Sequence, residues 1–305
     1  MRNTYLKELY QLAQDDRNVL SLVSDNGLIV YDDFRRDMPG QYFNFGISEG
    51  HMVAAAAGMA SCGKIPFAYT IGSFLAYRSY EFIRLDVCLQ NLNVKIVGIG
   101  AGVSYGYLGP THHATEDIAV LRCIPNLTLL SPATRQETKA LVRYAYSVQG
   151  PVYIRLGNNL PAELYPIRGE IQPGKISILR EGKDAVVFVT GEILHQVMEA
   201  AERLHEEGIE VEVVSVHTLN PFDAEGMRKL ADRVPIVYSV EEHSIVGGLG
   251  GLLSETLAEH GCKSKLVRIG LKNGFAKGYG TRGEVLMTNE LDTESIFQRI
   301  FKDFK

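Results

Sequence analysis

Three short segments carry residue types that could do chemistry. In YFNFGISEGHMVAAAAGMA, Glu49 follows a strand-like run and opens a helix of Ala, Gly and Met. An acid in a first helical turn favours the helix dipole, and a carboxyl so placed could also exchange a proton. In IGSFLAYRSYEFIRLDVCLQNL, Phe74, Tyr77 and Tyr80 recur at three-residue spacing, a stripe that serves a core or offers ring faces to a flat ligand. In GYLGPTHHATEDIAVLRCIPNLTLLSP, a Gly-Pro turn delivers Thr111, His112 and His113 just before a helix. Adjacent histidines can be a metal pair, but no further Asp, Glu or His spacing completes a ligand set. Taken singly, each segment leaves both of its readings open.

The elements that must position these residues alternate along the chain. Tyr5, Leu6, Leu9, Leu12 and Ala13 have helical spacing, and VLSLVSD then switches to a strand. The strands YFNFG, IPFAYTI, NVKIVGIGAG, LTLLSP and PVYIRL follow. Between them lie helices over SEGHMVAAAAGMASCG, YEFIRLDVCLQNL, EDIAVLRC and about 134–147. Such alternation predicts an α/β fold, two doubly wound domains of mostly parallel strands covered on both faces. Residues 1–160 are read as the first domain. The Asn-, Pro- and Gly-rich stretch 161–182 is read as a linker, and residues 183–305 as the second domain. There DAVVFVTG, IEVEVVSVHTLNP, IVYSVEE and SKLVRIGL alternate with helices near 193–207, 223–232, 249–260 and 292–303.

Composition narrows the function classes. With 305 residues, 46% of them hydrophobic, the chain can build two moderate cores. A net charge of -5 supplies no basic field for nucleic acid. No apolar run reaches the roughly 20 residues of a membrane span. The amphipathic N-terminus lacks the apolar core of a signal peptide, and Cys62, Cys88, Cys123 and Cys262 form no ligand or CxxC spacing. A cytoplasmic protein that binds neither nucleic acid nor membrane is expected.

Order and spacing together resemble the transketolase and deoxyxylulose-phosphate synthase family of thiamine enzymes. FGISEGH, SFLAY, DVCLQNLNV, GPTHHATEDIAVLRCIPN and SVEEHSIVGGLGG occur in that family's order over nearly the whole chain. What is covered is only the second half of a one-chain transketolase, the pyrimidine-binding domain and the C-terminal domain. The family holds the cofactor diphosphate through a metal bound by Gly-Asp-Gly and a following Asn, and no Gly-Asp-Gly occurs here. Gly247, Gly248, Gly250 and Gly251 could start an anion-binding helix, but they fall in the part that resembles the C-terminal domain.

The resemblance therefore implies a split, thiamine-diphosphate-dependent transketolase. A partner subunit would hold the diphosphate and Mg2+, two of these chains would assemble with two partner chains, and a two-carbon ketol unit would pass between sugars. It implies that Glu49 hydrogen-bonds the aminopyrimidine and promotes proton loss from the thiazolium carbon, and that burial raises its carboxyl toward proton sharing. Phe74, with Tyr77 and Tyr80, would line the pyrimidine slot. His112 would face substrate, His113 less directly, and Arg2 would lie where transketolases place an arginine for the acceptor phosphate.

Three departures bear on substrate. Leu108 stands where the family has an acid, Gly100 where it has a histidine, and Asn158, in Gly157-Asn158-Asn159, where a phosphate-binding arginine is expected. Arg155 lies too early in its strand to replace that arginine. A sugar other than the standard pentose phosphate pair is expected. The alternatives are a decarboxylating synthase of deoxyxylulose-phosphate type, the beta subunit of a 2-oxo-acid dehydrogenase, and a non-catalytic paralogous subunit. The GPTHHATED segment favours the sugar enzymes over the dehydrogenase. Joint retention of Glu49, the aromatic slot and His112 argues against a non-catalytic role.

Overall fold

The computed structural model describes residues 1–27, 29–158 and 169–305. Its strands, among the described residues, are β1 (Val19–Val23), β2 (Tyr42–Asn44), β3 (Ile65–Ile71), β4 (Lys95–Ile99), β5 (Thr128–Leu130), β6 (Val152–Leu156), β7 (Ser177–Arg180), β8 (Ala185–Thr190), β9 (Val211–Ser215), β10 (Thr218–Asn220), β11 (Ile236–Ser244) and β12 (Lys265–Leu271). β1, β4, β6, β8 and β9 are buried at every position. Strands covered by helices on both faces are mainly apolar, which is why these read as apolar runs, with Lys95, Arg155 and Glu212 as buried charged exceptions.

Two sheets result, one ordered β10-β5-β6-β4-β3-β1-β2 and the other β12-β11-β8-β9-β7. Pairing is parallel except for β10 on β5 and β7 on β9. The expected α/β class with two parallel-dominated sheets is what the chain forms.

Particular elements differ from the sequence reading. IEVEVVSVHTLNP, read as one strand, is two: β9 stays in the second sheet, and β10 crosses to the first, where the amide of Ser131 donates to the His217 carbonyl at 2.8 Å. β7 falls within the stretch read as a linker. Its SILR sequence is a half-exposed edge with no sustained period, and residues 161–168 of that stretch lie outside the described residues. The helix Arg282–Thr288 was not anticipated. A capping box starts it, the Thr281 side chain accepting from the Glu284 amide while Glu284 accepts from the Thr281 amide.

The two halves share buried polar groups as well as apolar ones. Arg155, 2% exposed at the end of β6, donates from Nε to Asp117 at 2.9 and 3.1 Å. Its Nη2 reaches the carbonyls of Ala114 at 2.9 Å and Glu242 at 3.1 Å. Tyr153 adds its hydroxyl to Asp117 at 2.9 Å. Glu242 in turn accepts from the Val103 amide at 2.7 Å and pairs with Arg282, while Ser104 donates to Glu192 at 3.2 Å. Charges removed from water survive only when paired in this way.

The helix Leu249–Glu259, whose glycines could in principle greet an anion, has its N-terminus filled from within. The amides of Leu249 and Gly250 donate to Glu241 at 2.6 and 2.7 Å, and any β-carbon at Gly248 would collide with that carboxylate.

Arg155→Met is expected to lower the unfolding free energy of the purified chain by about 3–5 kcal/mol, because it strands Asp117 unpaired in the interior. Urea unfolding followed by circular dichroism checks this. A loss below about 1 kcal/mol would contradict the role given to this pair.

Candidate active site

Glu49 is the first residue of the helix Glu49–Ser61 and is only 2% exposed. The helix is small-residued on the side that meets Phe82, where a β-carbon at Gly50 would lie 2.7 Å from the ring. One carboxylate oxygen, Oε2, accepts from Arg78 Nη1 at 2.8 Å. The other has no hydrogen-bond partner among the described residues and is open to an incoming donor.

Arg78 closes a π-helical turn, Phe74–Arg78, which is followed by a short α turn, Tyr80–Phe82, and a second π segment, Ile83–Cys88. The sequence reading placed a helix over YEFIRLDVCLQNL and took Phe74, Tyr77 and Tyr80 as one aromatic stripe at three-residue spacing. Widened π turns, common at functional sites, break that stripe. Phe74 stays with the Glu49 neighbourhood, since the Arg78 guanidinium carbon sits 4.8 Å over its ring centroid. Tyr77 turns to Glu116, donating to Oε2 at 2.9 Å and accepting from the Glu116 amide at 2.9 Å. Tyr80 packs on the core, its hydroxyl 3.6 Å from Cys123 Sγ. Arg78 escaped the sequence reading, which weighed only the aromatic residues, although its spacing of four from Phe74 is a helical-face signal.

His112 follows a 3-10 turn, Gly106–Thr111, that contains Gly109 at φ 70°. That left-handed backbone suits glycine, and a β-carbon there would also strike the Tyr279 ring. The turn brings the imidazole edge-on to Phe74, with centroids 4.9 Å apart. Its Nδ1 and Thr111 Oγ1 share a hydrogen bond of 2.9 Å. Burial holds this imidazole below the ordinary histidine range, favouring the neutral ring. Tyr105 flanks it at 6.1 Å and fills the space over Gly100, where a side chain would collide with the tyrosine ring.

The remaining expected residues separate. His113 is 2% exposed and near Glu242. Neither ring nitrogen meets a partner in hydrogen-bonding geometry, although the Tyr105 backbone lies close. Arg2 begins the helix Arg2–Asp15, has a buried Nε without a partner, and forms no ion pair among the described residues. Its charge acts on Tyr69 and Tyr105. Asn158 is a half-buried bend residue, and Asn159 lies outside the described residues. Arg155 is consumed by the junction already described. Among the described residues no group of three or more His, Cys, Asp or Glu could hold a metal ion, and no helix is long and apolar enough to cross a membrane.

Contacts therefore link Glu49, Arg78, Phe74, His112 and Tyr105 in one chain. A buried carboxylate with an open oxygen beside an aromatic face fits a flat heterocycle that presents a ring nitrogen. A neutral imidazole at the edge of that face can exchange hydrogen bonds with hydroxyl or carbonyl oxygens.

Comparison with known proteins matches both halves of the chain to one family. The description "Transketolase, pyrimidine binding domain" matches residues 1–162, and "Transketolase, C-terminal domain" matches residues 174–296. An apulose-4-phosphate transketolase subunit of Actinobacillus succinogenes is 38% identical over 264 residues, covering 86% of this chain and 85% of its own. The 6-deoxy-6-sulfo-D-fructose transketolase subunit SqwH of Clostridium sp. (strain MSTE9) is 35% identical over 292 residues, covering 95% and 88%. A solved split gene transketolase, described as an inactive beta4 tetramer, has a TM-score of 0.90 at 35% identity, covering 99% of this chain and 97% of its own.

Because Phe74 supplies part of the cover over His112, Phe74→Ala is expected to raise the His112 titration midpoint toward the ordinary histidine value of about 6.5. Imidazole proton shifts followed by NMR against pH report it. An unmoved midpoint would show that Phe74 does not shield this ring.

Proposed function

The chain belongs to the transketolase family, and from that premise we propose that it is the pyrimidine-binding and C-terminal subunit of a split, cytoplasmic transketolase that is active only with a partner chain. The observation that carries this reading is the buried Glu49 carboxylate, open on one oxygen beside Phe74 and His112, in a chain without Gly-Asp-Gly. Glu49 would hold the aminopyrimidine ring nitrogen and manage its proton. Phe74 would stack on the ring and exclude water. His112, neutral at working pH, would face substrate oxygens. Bound thiamine diphosphate supplies the reacting carbon, while this chain orients it and handles protons. The diphosphate and Mg2+ fall to the partner, in an assembly of two plus two chains.

The substrate reading rests on what surrounds His112. Tyr105 occupies the space over Gly100, Leu108 is an exposed apolar residue, and Arg155 is unavailable to a phosphate. Arg2 supplies the cation that supports an anionic substrate end, because its guanidinium has no acid partner among the described residues. The names of the related subunits point to apulose-4-phosphate and a sulfosugar, so a modified sugar with an anionic end, rather than the standard pentose phosphate pair, suits this site.

Calorimetric titration with thiamine diphosphate and Mg2+ is expected to show no sub-micromolar binding to this chain alone and clear binding once a polypeptide carrying the Gly-Asp-Gly segment is added. The complex is expected to turn over xylulose phosphate and ribose phosphate poorly. Tight stoichiometric binding by the chain alone would contradict the split reading. Efficient turnover of that pentose pair would contradict the substrate reading.

A further inference from the structure

Two contacts of Arg78 are ones that a cofactor ring would need. Its Nη1 holds Glu49 Oε2 at 2.8 Å, and its guanidinium carbon lies 4.8 Å over the Phe74 centroid. The Arg78 side chain is 54% exposed, whereas Glu49 is 2% exposed. Solvent therefore lies behind the guanidinium, and the carboxylate lies in front of it. No other carboxylate pairs with Arg78 among the described residues, so nothing else anchors it there.

A guanidinium is flat, cationic and rich in donors, and it caps an aromatic face while donating to a carboxylate. An aminopyrimidine is also flat and also donates to that carboxylate. The guanidinium already covers this face of Phe74 and takes one Glu49 oxygen, so a ring that stacks on that face while bonding the carboxylate must displace it. The π turn Phe74–Arg78 makes this overlap possible, since it places the first and last residues of the turn on one side.

We propose that Arg78 is a displaceable cap: it pairs with Glu49 and covers Phe74 in the unloaded subunit, and it swings into solvent when the pyrimidine enters. This rests on the transketolase reading above. The cap keeps a buried carboxylate from standing unpaired, which would be unfavourable. It also competes with the pyrimidine, so cofactor affinity is held below what Glu49 and Phe74 would otherwise give. An ion pair with one exposed partner is weak and weakens further in salt. The cap is therefore removable by a ligand that replaces both contacts.

The test uses the complex reconstituted with the diphosphate-holding partner and measures the dissociation constant of thiamine diphosphate with Mg2+ by calorimetry at low and high ionic strength. The size of an exposed ion pair plus a cation–π contact predicts that Arg78→Gln binds roughly three- to thirty-fold more tightly at low salt. Raising the salt should narrow the gap between wild type and variant, and Arg78→Lys should restore much of the wild-type weakness. Binding by Arg78→Gln that is equal to or weaker than wild type overturns the cap while leaving the transketolase reading in place. Absence of cofactor binding by both proteins overturns both.

Discussion

A guanidinium taken out of water at the end of a strand sets the terms for the rest of this molecule. Arg155 satisfies its donors with Asp117 and the Ala114 carbonyl from the first half and with the Glu242 carbonyl from the second. A buried charge tolerates little displacement of its partners, because losing one leaves the other unpaired in the interior. The two sheets are consequently held in register at this point, and the crossing of β10 to pair with β5 adds backbone hydrogen bonds to the same junction.

The loop between β4 and the helix Asp117–Arg122 hangs from this clasp. Its Val103 amide is held by Glu242, and its later carbonyl at Ala114 is held by Arg155. The chain turns sharply through Gly100 and Gly102 just before the first of these points and through Gly109 between them, all at positive φ. Tyr105 and Tyr279 press on glycines that have no side chain to resist them. The result is that His112 meets Phe74, and through Phe74 and Arg78 the histidine loop reaches Glu49. The catalytic reading thus depends on packing that lies outside the site.

Much of the architecture was legible in the sequence because strands covered on both faces leave long apolar runs, and helices such as Arg135–Ser147 and Leu194–Glu206 keep an amphipathic period. Motif order singled out Glu49 and His112 as candidates, and the fold links them through Arg78 and Phe74. The transfer of β10 was not legible, since VEVVSVHTLN carries no Gly or Pro where the chain changes sheets. Nor was the splitting of the aromatic stripe, because a π turn shifts the phase of every residue after it while leaving composition unchanged. Arg155 could be placed on its strand, but only the fold shows that its Nε and Nη2 donors are already taken. His113, adjacent to His112 in sequence, faces Glu242 at the junction because consecutive residues in a turn point to different sides.

The central claim is that Glu49 is the acid that sets the protonation of the cofactor's pyrimidine ring. Its most direct measure is the rate at which the thiazolium carbon proton exchanges with deuterium in the reconstituted complex, read by NMR after rapid quench for wild type and for Glu49→Gln. The account predicts slowing of roughly a hundredfold or more with the cofactor still bound, in keeping with the size of acid–base contributions. Exchange at the wild-type rate in a loaded Glu49→Gln complex would contradict it.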